Sequence, residues 1–343
     1  MSKLKEKKGV LLINLGSPQS PDADSIREFL DEFLMDPLVL DIPFLMRWFL
    51  VKRIILPKRP QAIKEKYEKI WDQQGSPLMS HSINLSIGVQ KQLSEDYLVL
   101  LAMRYGNPSI KTALLEFQKQ KIDRVLILPL FPQYAGATTG SVLRKVNKDA
   151  KKIKLRSSLK MIKYFYDRSG FSTLWADKLK AAADFKPEHV LFSFHGLPES
   201  QIKKADRLRN GCLVNPSCCD LQSEENRLCY RYQSFQTTRN IAEEMGFGPS
   251  EYSTAFQSRM GKDKWIEPYT DETISQLAKK GIKRLMVLCP SFVADCLETL
   301  EEIQIQESEN FRKNGGEKLK LVLSLNSDQN WVDWLSQIIR DEF

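Results

Sequence analysis

The sequence has no apolar run of the roughly 18 residues that a membrane-spanning helix needs. The longest candidate, residues 38–56, is broken by Asp41, Pro43, Arg47, Lys52 and Arg53. No glycine-rich phosphate loop follows the first apolar run. Leu15-Gly16-Ser17-Pro18 lacks the G-x-G-x-x-G spacing, which argues against a dinucleotide site. Low-complexity tracts and nucleic-acid motifs are absent, and the 51 Lys and Arg are dispersed. The formal charge of +8 therefore points to an acidic small molecule or an anionic lipid surface ahead of nucleic acid. The charged start, Met-Ser-Lys-Leu-Lys-Glu-Lys-Lys, meets a short apolar stretch interrupted by Asn14, with no small-residue cleavage site after it. This pattern predicts the first strand of a cytoplasmic domain rather than a signal peptide. Histidine is scarce: only His81, His189 and His195.

What is present is a globular composition, 42% hydrophobic and 27% charged over 343 residues, enough for two domains. Two apolar runs resemble each other. Residues 10–18 read Val-Leu-Leu-Ile-Asn-Leu-Gly-Ser-Pro, and residues 190–198 read Val-Leu-Phe-Ser-Phe-His-Gly-Leu-Pro. Laying Gly16 on Gly196 and Pro18 on Pro198 puts Leu15 on His195. An apolar run closed by Gly and Pro predicts a buried strand and a turn. A second pair, residues 122–129 and 282–290, repeats the pattern, with helical periodicity at Ser109–Lys119 and Thr270–Lys280. Strands alternating with helices predict an α/β fold of two similar doubly wound, Rossmann-like parallel-sheet halves. The first half is expected over 1–150, with an apolar lip at about 29–56. The second is expected over 151–343, with a cysteine-rich insertion at about 203–230 and a final helix near 327–341 packing back on the first half.

Ligands in such folds bind beyond the carboxyl ends of strands, where His195 falls. His189, ahead of the strand, is expected at the surface, and nothing assigns a role to His81. After the second strand of the pair comes Asp295, Glu298 and Glu302. The bland reading is an acidic first turn that complements a helix dipole, with Asp295 near the N-cap. The sharper one is a carboxylate ridge facing His195, since Glu298 and Glu302 are four apart on one helical face. An imidazole with carboxylates suits a divalent metal and proton removal at neutral pH.

Five ordered segments then carry a family resemblance: Leu-Leu-Ile-Asn-Leu-Gly-Ser-Pro at 11–18, Phe-Pro-Gln-Tyr…Thr-Thr-Gly-Ser at 131–141, Ser-Phe-His-Gly-Leu-Pro at 193–198, Phe-Gln-Ser-Arg-Met-Gly…Trp…Pro-Tyr-Thr-Asp at 256–271 and Asp-Cys-Leu-Glu-Thr-Leu at 295–300. Together they resemble the ferrochelatases from about residue 9 to 340. The resemblance implies the chelatase fold and insertion of Fe(II) into protoporphyrin IX to form protoheme in a two-lobed apolar cleft that bends the macrocycle. By position, His195 and Glu298 correspond to the family's catalytic, metal-site pair. Asp295 and Glu302 would then carry protons out or metal in. Met103, Arg104, Tyr134 and Trp265 fall in cleft-lining segments, and Arg59, Tyr67 and Ser76 where some members contact the porphyrin. One departure is Cys296, where several members have His. Competing readings are a cobalt or nickel chelatase or a coproporphyrin chelatase of the same fold, and a two-lobed tetrapyrrole carrier without catalysis.

Two further segments suggest partners. The apolar residues of 29–56, followed by Lys52, Arg53, Lys58 and Arg59, read either as core or as a lip over the cleft that touches a membrane surface. Arg59 is also placed to meet a porphyrin carboxylate. Four of the six cysteines, Cys212, Cys218, Cys219 and Cys229, cluster where many ferrochelatases have a short Gly-Asp-x-Tyr-Pro stretch. In a reducing compartment clustered thiols read as a metal site, and four thiolates suit either zinc or an iron–sulfur cluster. The spacing fits neither a zinc ribbon nor a bacterial ferredoxin. That some ferrochelatases carry a 2Fe–2S cluster favours that cofactor over zinc or free thiols. Lys203, Lys204, Arg207 and Arg209 are expected to offset thiolate charge.

Overall fold

The computed structural model describes residues 7–205, 212–213, 217–220, 223, 226–261 and 263–343. Arg207 and Arg209 lie outside the described residues. The chain divides into two compact units. The first runs to Phe131 and adds Gly136–Tyr164 and Asn326–Phe343; the second comprises Pro132–Ala135 and Phe165–Leu325.

The first unit is built on β1 (Lys8–Asn14), β2 (Tyr97–Met103), β3 (Arg124–Pro129) and β4 (Ser158–Met161). They form one parallel sheet in the order β2-β1-β3-β4. Helices cover the faces of such a sheet, so its central strands read as unbroken apolar runs. Val10, Leu11, Leu12 and Ile13 of β1 have no exposed surface, and Leu11 and Ile13 pack with Leu114, Phe117, Ile127 and Val146. The helix Ile110–Lys119 is started by Ser109, whose hydroxyl accepts the Thr112 N–H at 3.1 Å. The last helix, Gln329–Asp341, buries Trp331, Val332, Leu335 and Ile339. It lies against the helix Pro77–Gln92, where a Cβ at Gly88 would stand 2.9 Å from Val332.

The second unit repeats the plan with β5 (His189–His195), β6 (Tyr252–Gln257), β7 (Arg284–Leu288) and β8 (Lys318–Val322), parallel, in the order β6-β5-β7-β8. Its core joins Leu191, Ala255, Ile274, Leu285, Val287 and Phe311. The strand registers agree with the sequence alignment of the halves. Gly9 pairs with Val125 in the first sheet, and His189 pairs with Leu285 in the second. The two aligned glycines have matching reasons. Gly16, at φ +112°, passes so close to Tyr105 that a Cβ would stand 2.0 Å from its carbonyl oxygen; at Gly196 a Cβ would stand 2.9 Å from that of Gln257.

Local differences from the expectations are informative. His189 is buried rather than at the surface, because the strand begins at this residue and its Nε2 meets Ser253 Oγ at 3.0 Å. Burial holds its pKa below the ordinary imidazole value. The helix after the cysteine-rich insertion begins at Tyr230, and inside it Ser234 turns its hydroxyl back onto the Tyr230 carbonyl at 2.9 Å. Among the described residues, three segments wind as π-helix: Leu50–Ile55, Gly136–Gly140 and Leu297–Glu307. When Arg124 is laid on Arg284, the second and third begin within one residue of each other, so this turn too is duplicated, and the third runs on to Glu307.

Candidate active site

His195 is the last residue of β5 and is half-buried. Its Nδ1 lies 2.6 Å from the Gly196 carbonyl oxygen. A carbonyl can only accept, so in the neutral ring Nδ1 carries the proton and Nε2 the lone pair. Trp265 and Phe292 flank the ring, with centroids at 6.3 and 6.2 Å. The register of β5 on β7 ends at Phe192, three residues earlier, so β7 supplies no ladder partner to His195. Side chains serve instead. The His195 N–H donates to Ser291 Oγ at 3.3 Å, and its carbonyl accepts the Tyr230 hydroxyl at 2.8 Å.

On its other side His195 is in register with Gln257 of β6. The Gln257 amide connects the site: Oε1 accepts the Ser193 hydroxyl at 2.6 Å, and Nε2 donates to the Glu298 carbonyl at 2.9 Å. Glu298 is thereby anchored beside the strand end that carries His195. Its carboxylate is hydrogen-bonded to the Cys296 thiol, whose pKa burial and the Glu298 charge push well up. Glu302, one turn on, accepts from Ser258 Oγ, the residue after Gln257. Glu298 and Glu302 therefore both reach the end of β6. The turn that holds them is π-helical rather than α-helical, and Cys296, not Asp295, is its N-cap. Asp295 is buried; its Oδ1 accepts from Thr299 Oγ1 at 3.0 Å, and both its oxygens lie 3.2 Å from the Ser324 N–H.

The remaining candidates are placed as follows. Tyr134 is half-buried, its N–H held by Gln233 Oε1. Arg59 is exposed and, with Ile54, Ile55, Lys58 and Ala62, lines a shallow hollow of about 260 Å³. Tyr67 is buried edge-on to Trp71, and Ser76 is a buried helix N-cap. Met103 ends β2 and is buried. The Arg104 guanidinium is already committed within its own unit, to Asp36 and Ser141. Asp36 also accepts the Tyr105 hydroxyl at 3.0 Å. Burial works against ionised Asp36, but Ser141, the Leu38 N–H and the Arg104 charge outweigh it and hold its pKa below the ordinary carboxylate value. Sequence reading missed this buried network and also missed Tyr230, Ser291 and Gln257 around His195. Gln257 stood inside a quoted motif; the others announce themselves only through tertiary contact.

The cysteines of the insertion come together. Cys218 and Cys219 have sulfurs 3.8 Å apart, Cys212 is hydrogen-bonded to Cys229, and all four sit close enough to affect one another's ionisation. The hydrogen bond from Cys212 and the N–H groups of Tyr232 and Arg231 lower the Cys229 pKa, while the same pairing raises that of Cys212. Burial pushes Cys219 up to about 12, against the pull of Arg231, which donates to its sulfur at 3.2 Å. No disulfide joins any cysteine. A helix N-terminus and a guanidinium aimed at sulfur are donors that suit thiolates, so the residues fit a thiolate-held group chemically. Among the described residues, however, no three His, Cys, Asp or Glu are arranged as a ready metal site.

Two similar halves, each a four-stranded parallel sheet with flanking helices, define an α/β fold of the chelatase type. In fold, the chain is similar to SirB from Bacillus subtilis solved with Fe3+, with TM-score 0.56 at 11% identity over 98% of this chain and 95% of that one. The ferrochelatase family model matches residues 7–343. The chain is 43% identical over 339 residues to a Coxiella burnetii ferrochelatase, covering 97% of this chain and 93% of the relative. It is 42% identical over 338 residues to one from Legionella pneumophila, covering 98% and 100%. The chain belongs to the ferrochelatase family, and its activity is insertion of iron into a porphyrin in heme synthesis.

Proposed function

We propose that His195 and Glu298 are the reacting pair and that the porphyrin is protoporphyrin IX. Insertion exchanges two pyrrole protons for Fe(II), so the site needs a base on the macrocycle and a route for protons and metal. The observation that carries the assignment is the His195–Gly196 contact, which keeps the proton on Nδ1 and leaves Nε2 to accept one. Glu298, whose carbonyl is held by the Gln257 amide, would supply the carboxylate, and Glu302 extends this acidic side to Ser258. Asp295 supports the turn through Thr299 and Ser324, and on this reading contributes to the path by holding Glu298 in place. Trp265 and Phe292 present large apolar surface to the imidazole, suited to a bent macrocycle. Arg59 is exposed and can meet a carboxylate of the porphyrin. Anaerobic turnover with Fe(II) tests the substrate: faster heme formation from protoporphyrin IX than from coproporphyrin is expected, and the reverse order would replace the substrate.

Membrane contact belongs to the same proposal. Along Phe44–Ile55 the side chains of Phe44, Leu45, Met46, Phe49 and Ile54 are more than half exposed, with Arg53, Lys58 and Arg59 nearby. Exposed apolar residues edged by cations suit an anionic bilayer surface. No described helix is long and apolar enough to cross a membrane. We place the protein in the cytoplasm, at the membrane surface. Flotation with anionic liposomes tests this: recovery of the wild-type chain but not of Leu45→Ser/Phe49→Ser in the lipid fraction is expected.

For the cysteine group, Cys212, Cys218, Cys219 and Cys229 would hold a 2Fe–2S cluster. Such a group would supply a redox-sensitive cross-link within the insertion. Visible charge-transfer absorption of anaerobically purified protein supports the cluster; colourless protein with stoichiometric zinc, or with four titratable thiols, would replace it.

A further inference from the structure

Tyr230 belongs to the helix that follows the cysteine-rich insertion, and its hydroxyl reaches the end of β5. Its hydroxyl donates to the His195 carbonyl at 2.8 Å and is paired with Ser291, whose Oγ accepts the His195 N–H at 3.3 Å. Tyr230 and Ser291 thus hold both backbone groups of His195 where β7 has ended. The Tyr230 ring is buried, so the hydroxyl has little freedom to leave this contact. Tyr230 is also the first residue of the helix Tyr230–Met245, and the residue before it, Cys229, is the N-cap.

We propose that Tyr230 is a positioning residue for His195. The helix it begins fixes where the Tyr230 hydroxyl sits, and the hydroxyl, with Ser291, sets the strand end from which the imidazole projects. A strand end shifted by about 1 Å is enough to lower a rate by roughly 100-fold. The inference rests on His195 as the reacting base only for its effect on turnover; the structural link stands apart from that role.

The test uses this separation. With only three histidines in the chain, 15N-histidine labelling reports His195 directly, assigned by His195→Ala. Tyr230→Phe keeps the buried ring and removes the hydroxyl. It is expected to shift the His195 ring 15N resonances, leave those of His81 and His189 in place, and lower kcat about 10- to 100-fold with KM for porphyrin nearly unchanged. Unmoved His195 resonances in Tyr230→Phe would overturn the positioning role. Moved resonances with unchanged kcat would leave the link standing and count instead against His195 as the base.

Discussion

The strand ending at Asn14 is followed by Leu15 and Gly16, and the strand ending at His195 by Gly196. Both glycines lie where the chain presses on a neighbouring carbonyl, and both strands occupy the same place in a sheet of the same order. The π-helical turns are matched as well, with Thr138 in the first unit where the second has Glu298. The duplicated scaffold therefore supplies two equivalent strand ends and two equivalent turns, but an imidazole and a carboxylate at only one of them. A smaller contrast follows the same line. Thr299 bonds to Asp295 and to the Cys296 N–H; its counterpart Thr139 has Ala135 in place of the aspartate, and its buried hydroxyl has no partner. The first unit keeps the fold of the turn and lacks its polar fittings. Its own buried polar network is elsewhere, at Asp36, Arg104, Tyr105 and Ser141.

Substitutions at matched positions sharpen this contrast. The largest effect is expected at the reacting pair: His195→Ala loses about 100- to 10,000-fold in anaerobic iron insertion while remaining folded, whereas Leu15→Ala retains turnover within an order of magnitude. Comparable losses in both would mean that the halves share the chemistry. Next comes the network peculiar to the first unit. Arg104→Ala strands Asp36 without its counter-charge and is expected to lower unfolding stability by about 3–5 kcal/mol, measured by denaturant titration. Because Asp36 has a depressed pKa in the folded protein, its contribution is present above the ordinary carboxylate pKa and is lost as pH falls through the folded value below it. Asp36→Asn should therefore flatten the acid limb of stability against pH. The smallest effects distinguish the turns. Thr299→Val is expected to destabilise by about 1–3 kcal/mol because it leaves buried Asp295 short of a donor, while Thr139→Val is neutral or stabilising in thermal melts.

Much of the plan was legible in the sequence because parallel strands must be apolar on both faces and must end in a turn. The runs at 10–18 and 190–198, and at 122–129 and 282–290, marked four strands, and Ser109 marked a helix start. The π-turns escaped, since one turn at 4.4 residues cannot be told from one at 3.6 by spacing. The helix Tyr230–Met245 starts without a signal, because its N-cap, Cys229, is not a residue type that marks one. His195 itself was visible at the end of its strand. What holds it was not: Gln257, Ser291 and Tyr230 come from three separate segments, and only the folded chain brings them to one backbone position.

The account depends on metal entering the second unit at the imidazole and the carboxylate together. Anomalous diffraction at the metal edge, from crystals soaked with Co(II), tests that most directly. A single strong peak within bonding reach of both His195 Nε2 and the Glu298 carboxylate is predicted, absent from His195→Ala crystals. A peak at the first unit's turn, beside Thr138, with none at His195 would contradict it.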